Sequence, residues 1–463
     1  MSSDPLATFA AHGFASLRAT DAALARLLDA ELERQRSVLT LVAASSVAHP
    51  SVLCCEGTAI SNLTLEGYPG ARYHGGAAFA DGIESLAIER VKALFGARYA
   101  NVQPHSGSSA NQIVLFGLLS PGDRILGLDI RCGGHLTHGA KASLTGRYFE
   151  SFGYGLSPDG LLDYETIAAR AREVRPRLIV CGASAYPRQL DFARFRAIAD
   201  EVGAFLLADI SHVAGLVAAG LHPSPIDHAH FTTTSTYKQL FGPRGGLVLM
   251  GKDADRTAPD GKRSLADLIQ KSAFPVVQGT PHLNTIAAKA RAFAWAATPE
   301  FRGIASRVVS NARALAAALK ARGYRILTGG TDNHMLLVDL TGSELTGAAA
   351  ESTLESCNIV VNRNILPGDP RPARLASGLR LGTNTVALRG MGDLEMNRSA
   401  GLIDEVLRCA RPESSTSCRL DAAVRARVLR GVAKLCADFD LPGYGFAGVA
   451  RGRDRIADTI TEA

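Results

Sequence analysis

Apolar residues recur along this chain with two different periods. Over residues 15–37, Leu17, Leu24, Leu27, Leu28 and Leu32 fall at helical spacing and predict an amphipathic helix. From about residue 39 to 250, short apolar runs alternate with amphipathic stretches. One such stretch, 81–95, sets Ile83, Leu86, Ala87, Val91 and Leu94 on one face and is stopped by Gly96. The runs at 99–102, 124–128, 177–181, 205–209, 231–234 and 246–250 are short, β-rich and bounded by Gly, Asp or Ser. This alternation predicts an α/β fold, a mostly parallel sheet with helices on both faces. Such sheets take ligands at the carboxyl ends of their strands. A polar excursion with Pro259 and Gly261 occupies 252–268, and a long helical pattern follows over 283–319. The texture then changes. Strands expected near 324–327, 335–340 and 359–361, a loop at 366–374 and a low-complexity connector at 411–418 describe an α+β unit. The expected division is an N-terminal helical arm (1–38), a large unit (39–310) and a smaller C-terminal unit (311–463), with no internal repeat.

Composition narrows the class. Of 463 residues, 46% are hydrophobic and 20% charged, which excludes wholesale disorder. The 50 Lys and Arg against 44 Asp and Glu leave a net +6, suited to small anions and too diffuse for nucleic acid. Eight cysteines show no C-x-x-C pair and no metal-ligand spacing, and read as reduced thiols. No apolar run approaches the roughly 18 residues of a membrane span, and the first residues do not read as a secretory signal. A cytoplasmic protein with no membrane, nucleic-acid or metal partner is expected.

Three features fall where a parallel sheet would place a ligand. His105-Ser106-Gly107-Ser108-Ser109 follows the 99–102 strand and opens a helix, offering backbone N–H groups that favour a phosphate. Taken alone, it is a plain Ser N-cap. Asp209 ends the apolar 205–208 run and is followed by Ser211-His212; alone, it caps a turn. Lys238 closes a run of hydroxyl residues and precedes Gly242-Pro243-Arg244-Gly245-Gly246; alone, it is one more lysine. Jointly they are a phosphate cradle, an acidic partner for a pyridinium and a Schiff-base amine, the set that pyridoxal phosphate requires.

Longer motifs support the same reading. Glu66-Gly67-Tyr68-Pro69-Gly70, Arg72-Tyr73, the run Ala100 to Ser108, Gly133-Gly134-His135-Leu136-Thr137-His138-Gly139, Asp209 with the run Ser211 to Gly220, and Gly242 to Gly246 resemble the serine hydroxymethyltransferase family, in order, from about residue 38 to 440. The resemblance implies the pyridoxal-phosphate fold type I, with a seven-stranded, mostly parallel large-domain sheet and a smaller C-terminal α+β domain. It implies a homodimer, or a tetramer of two such dimers, with active sites shared between subunits, and an amino-acid substrate with tetrahydrofolate as co-substrate. Position by position, it puts Lys238 at the cofactor linkage, Asp209 at the ring nitrogen, His212 beside the ring oxygen and His135 on the ring face. Ser106, Gly107, Ser108 and Ser184 would contact the cofactor, and Gly279 would approach its phosphate from the partner. Arg380 would clamp the substrate carboxylate, a role suited to a bidentate guanidinium. Glu66 would be the acid/base near the hydroxymethyl group. Glu66, Tyr73, Gly134, Leu136, Phe274 and Asn364 match positions around the folate.

The departures from the family pattern concern the substrate. Ile-Ala-Ser-Glu-Asn reads Val42-Ala43-Ala44-Ser45-Ser46, so Ala44 replaces a serine expected near the substrate carboxylate. Thr64 replaces a tyrosine of the pocket wall, His74 a second tyrosine, and Tyr237 a histidine; Gly-Gly-Gln-Gly-Gly reads Val276-Val277-Gln278-Gly279-Thr280. Ala44 and Thr64 both remove bulk, and burying a methyl group is worth about 0.8 kcal/mol. The sequence therefore predicts 2-methylserine as substrate, with Ala44, Thr64, Glu66, Tyr73, His74 and Arg380 around it. This resembles the α-methylserine branch of the family, in which both a folate-dependent transferase and a folate-free aldolase occur. Ordinary serine-to-glycine transfer and a folate-free aldolase or threonine-type transaldolase stay open. A cofactor-binding protein without catalysis is disfavoured by the intact Lys238, Asp209, His135, Glu66 and Arg380.

Overall fold

A computed structural model describes residues 4–445, so 1–3 of the expected arm and 446–463 of the expected C-terminal unit lie outside the described residues. Seven strands form the main sheet in the order Tyr99–Asn101, Gly246–Met250, Phe231–Ser235, Phe205–Asp209, Leu178–Gly182, Arg124–Leu128 and Glu150–Tyr154. Only Gly246–Met250 runs antiparallel to both neighbours. The four pairings from Phe231–Ser235 to Glu150–Tyr154 are parallel. Period-two alternation sends Ile179, Cys181, Leu206 and Ala208 into the core under one sheet face. Leu178, Val180 and Leu207 enter the core under the other. The predicted α/β fold is observed.

The edge strand Glu150–Tyr154 escaped the sequence reading, because its polar and Gly-containing sequence leaves it exposed at one end. Two long helical patterns are each split in the structure. The arm breaks into Pro5–Thr20 and Ala22–Ser37, where Asp21 accepts from the Leu24 amide as a cap. The later pattern breaks into Leu283–Ala296 and Pro299–Ala321, with Thr298 as N-cap and Pro299 at the first helical position.

A second sheet orders Arg325–Ile326, Met335–Asp339, Gly378–Gly382 and Asn362–Asn364, all antiparallel. Its strand Gly378–Gly382, not predicted from the hydrophobic pattern, carries Arg380. Ile359–Val360, expected nearby, instead pairs in parallel with Leu39–Thr40. Leu39 and Leu41 thereby join Leu336, Val338, Leu379 and Leu381 in a separate core. The 411–418 connector is a small hairpin, Arg411–Pro412 with Cys418–Arg419. Among the described residues, no helix is long and apolar enough to cross a membrane.

Ile179 is fully buried in the central strands. Ile179→Ala should destabilise the protein by about 2–5 kcal/mol in urea unfolding monitored by circular dichroism.

Candidate functional site

The strand ends of the main sheet open into a cleft lined by Ser106, Gly107, Ser108, His135, Ala183, Ser184, Asp209, Ser211, His212, Ser235, Tyr237 and Lys238. All the cofactor residues expected from the sequence meet here except Gly279. Ser106 caps the helix Gly107–Leu118, its hydroxyl accepting from the Ser109 amide at 3.0 Å. The first amides of that helix therefore face the cleft with the positive end of the helix dipole.

Asp209 is 7% exposed at the end of Phe205–Asp209. Its Oδ2 accepts from Asn111 Nδ2 at 2.8 Å and is bonded to His138 Nε2 at 2.9 Å. Its Oδ1 accepts from the Ser211 amide at 3.0 Å. Burial opposes charge on this carboxyl, but the His138 hydrogen bond and the neighbouring His138 and His135 rings outweigh it. The group is held well below the usual carboxylate range. Ligand atoms of His135, His138 and Asp209 lie within 4.8 Å of one another, and this cluster is part of the cleft itself.

Burial brings the His135 ring down to about 4, so the imidazole is neutral. Gly134 sets its position: a Cβ there would lie 1.9 Å from the Leu128 carbonyl oxygen. Leu136, the next residue, is exposed. His212 is held well below its ordinary value by burial and by the Lys238 and Arg380 cations. Its Nδ1 lies 3.3 Å from Nε2 of the buried His334. Lys238 is lowered to about 8, burial outweighing the pull of Asp209, with the Arg380 charge acting in the same direction as burial. The Arg244 guanidinium sits 4.4 Å from the Tyr237 ring centroid.

Arg380 comes from the second sheet. Its guanidinium donates to the Ser184 carbonyl at 2.5 Å and to Asn362 Oδ1 at 3.1 Å, and burial lowers it to about 10. The second sheet thus places its cation at the rim of the first sheet's cleft. Ala44 lies half-buried on a segment anchored at both ends. Asn384 Nδ2 donates to the Ala43 carbonyl at 3.2 Å, and the Ser46 hydroxyl donates to the Tyr237 carbonyl at 2.5 Å. Asn364 is half-buried, its amide turned onto the Ile365 carbonyl at 2.6 Å.

The other expected residues gather in a second place. Glu66 precedes the hairpin Gly67–Tyr68 with Ala71–Arg72, and its Oε2 lies 3.1 Å from His74 Nε2. Thr280 Oγ1 donates to Glu66 Oε1 at 3.4 Å, beside Gly279. Phe274 meets the Tyr73 ring edge-on at 5.5 Å. Tyr73 is 73% exposed, and Thr64 is exposed as well. None of Thr64, Glu66, Tyr73, His74, Phe274 and Gly279 lines the cleft of its own chain. Ala44 is likewise not among the residues lining it.

Sequence reasoning passed over Asn111, His138, Ser235 and His334. Asn111 accepts from the Thr233 hydroxyl at 2.5 Å while donating to Asp209, which is why a polar side chain is buried in that helix. His138 lay inside a quoted motif without a role. His334, 122 residues from its partner His212, left no local signal.

The residues present fit pyridoxal phosphate. An ionised carboxylate and a neutral imidazole flank the cleft, a buried amine projects into it, and amides of a helix start line one end. The Ser235 hydroxyl is buried there with no hydrogen-bond partner, a donor set left for an anion. Known proteins agree. The sequence profile described as serine hydroxymethyltransferase matches residues 17–403. A protein named serine hydroxymethyltransferase from Rhodospirillum centenum is 48% identical over 412 residues, covering 88% of this chain and 94% of that relative. The chain therefore belongs to the serine hydroxymethyltransferase family, pyridoxal-phosphate-dependent hydroxymethyltransferases that use tetrahydrofolate as co-substrate.

Proposed function

We propose that this enzyme moves the hydroxymethyl group of 2-methylserine to tetrahydrofolate, giving D-alanine, 5,10-methylenetetrahydrofolate and water. One observation carries the substrate assignment. The expected cofactor residues, Gly279 apart, converge in one cleft, and two of the residues that depart from the family pattern, Ala44 and Thr64, are small and are not among those lining it. Removing a serine hydroxyl and a tyrosine ring from the wall leaves room for one methyl group in place of the α-hydrogen. Ordinary serine-to-glycine transfer is the second reading, favoured by the 48% identical relative's name. A folate-free aldolase or transaldolase is the third.

In this reading the amides of Gly107 and Ser108, with the Ser106, Ser184 and Ser235 groups, hold the cofactor. Asp209 would hold a proton at the ring nitrogen, and His135 would lie over the ring. When bound, the cofactor supplies an electron sink for the bond broken at the substrate Cα. Lys238 would supply the amine through which the cofactor is held. Arg380 orients the carboxylate so that the Cα–Cβ bond is the one that breaks, and Glu66 carries the hydroxymethyl proton. A substrate with no α-hydrogen has no proton to lose before that bond opens.

Glu66, Thr64, Tyr73, His74, Phe274 and Gly279 reach this chemistry from a second copy of the chain. The reading therefore includes a homodimer, in the cytoplasm, with each cleft completed by its partner. Their separation from the cleft in one chain, together with the exposure of Tyr73, supports it.

Turnover of 2-methylserine and of serine, each with and without tetrahydrofolate, tests the assignment. D-alanine should form from 2-methylserine only with folate present; serine turnover with no D-alanine would remove the specificity. Thr64→Tyr, which restores the wall, should shift the kcat/KM ratio toward serine by about tenfold or more. The Lys238 amine, brought from 10.5 to about 8, is protonated and unreactive below that pH. The rate of cofactor uptake by stripped protein, followed by absorbance, should rise with pH through about 8 and level off above it.

A further inference from the structure

The helix Leu283–Ala296 buries a lysine that the chemistry above leaves unused. Lys289 is 1% exposed. Its ammonium donates to three backbone carbonyls, Val102 at 2.6 Å, Pro104 at 3.1 Å and Gly246 at 3.0 Å. Burying an amine is costly unless its donors are met, and here all three are. Burial lowers the group to about 7, with Glu84 acting in the opposite direction.

The acceptors belong to the two segments that shape the anion end of the cleft. Residues 102–104 lead straight into Ser106, the cap of the helix Gly107–Leu118. The Gly246 amide donates to the Pro104 carbonyl at 2.9 Å. A Cβ on Gly246 would lie 2.2 Å from the Ser106 carbonyl oxygen and 3.0 Å from the Gly107 nitrogen. A Cβ on Gly245 would lie 2.4 Å from Lys289 Cε and 2.8 Å from its Nζ. The lysine, the two glycines and the start of the helix are packed as one unit.

We infer that Lys289 is a positioning residue for the cofactor phosphate: its ammonium clamps residues 102–104 to Gly246 and so fixes the Gly107 and Ser108 amides at which the phosphate is held. The inference rests on Ser106, Gly107 and Ser108 being the phosphate cradle. The clamp holds the backbone that abuts the cradle, at Val102, Pro104 and Gly246, and makes no hydrogen bond to the Asp209, His135 or Lys238 side chains. Its loss should weaken the hold on the phosphate and leave the ring contacts in place.

The test uses stripped full-length protein titrated with pyridoxal phosphate and, separately, with pyridoxal, which lacks the phosphate. Lys289→Met removes the ammonium at similar volume. Gly245→Ala keeps the lysine and pushes it off its three carbonyls, so it carries the comparison if Lys289→Met does not fold. Each variant should lose about tenfold or more in affinity for pyridoxal phosphate while its affinity for pyridoxal stays within about twofold. Equal losses for both ligands, or no loss for either in a folded variant, would overturn the inference. If the unmodified protein binds the two ligands equally, the cradle reading falls and the positioning role with it.

Discussion

A single buried carboxylate sets the terms for much of this molecule. Asp209 ends the central strand of the main sheet almost out of reach of water, where an unpaired charge would be expensive. Three separate elements meet that demand. The helix after the cradle sends Asn111, the turn after Gly134 sends His138, and the chain just beyond the strand offers the Ser211 amide. Each supplies a hydrogen bond and is in turn located by it. Asn111 is further tied to Thr137 and Thr233, so neighbouring strand and turn share one polar network. The elements that stabilise the charge are the ones that carry the cradle and the His135 ring.

The second sheet is joined to the first around the same cleft. Arg380 reaches from Gly378–Gly382 to the Ser184 carbonyl, and His334 from the neighbouring strand segment contacts His212. The segment bearing Ala44 is held between Asn384 on one side and the Tyr237 carbonyl, next to Lys238, on the other. The segment around residue 44 is therefore held beside the Tyr237 backbone by hydrogen bonds that do not involve residue 44.

The legible part of the sequence was the part written in local code. Strands of the parallel sheet announced themselves as short apolar runs, and Asp209, Lys238 and the Ser106 region stood at their ends. The edge strand Glu150–Tyr154 was missed because half of it faces solvent and carries no apolar run. The two split helices were missed because Asp21 and Thr298 act as caps within an unbroken hydrophobic period, and capping overrides periodicity at such points. His334 and Asn111 could not be found locally, since what makes them matter is a partner about a hundred residues away in sequence: 122 for His334 with His212 and 98 for Asn111 with Asp209. The cofactor set was legible and, Gly279 apart, converges in one cleft. The set around Glu66 was legible by resemblance, and its distance from that cleft within one chain was not.

Gly134 shows where this enzyme is free to change. A side chain at that position would run into the Leu128 backbone, and one at Gly246 would run into the Ser106 backbone. Two positions next to cleft-lining segments are thus closed to substitution by backbone atoms. Ala44, Thr64, His74 and Thr280 are half-buried or exposed. The close backbone contacts therefore constrain Gly134 and Gly246, and they leave the side chains at 44, 64, 74 and 280 outside that constraint.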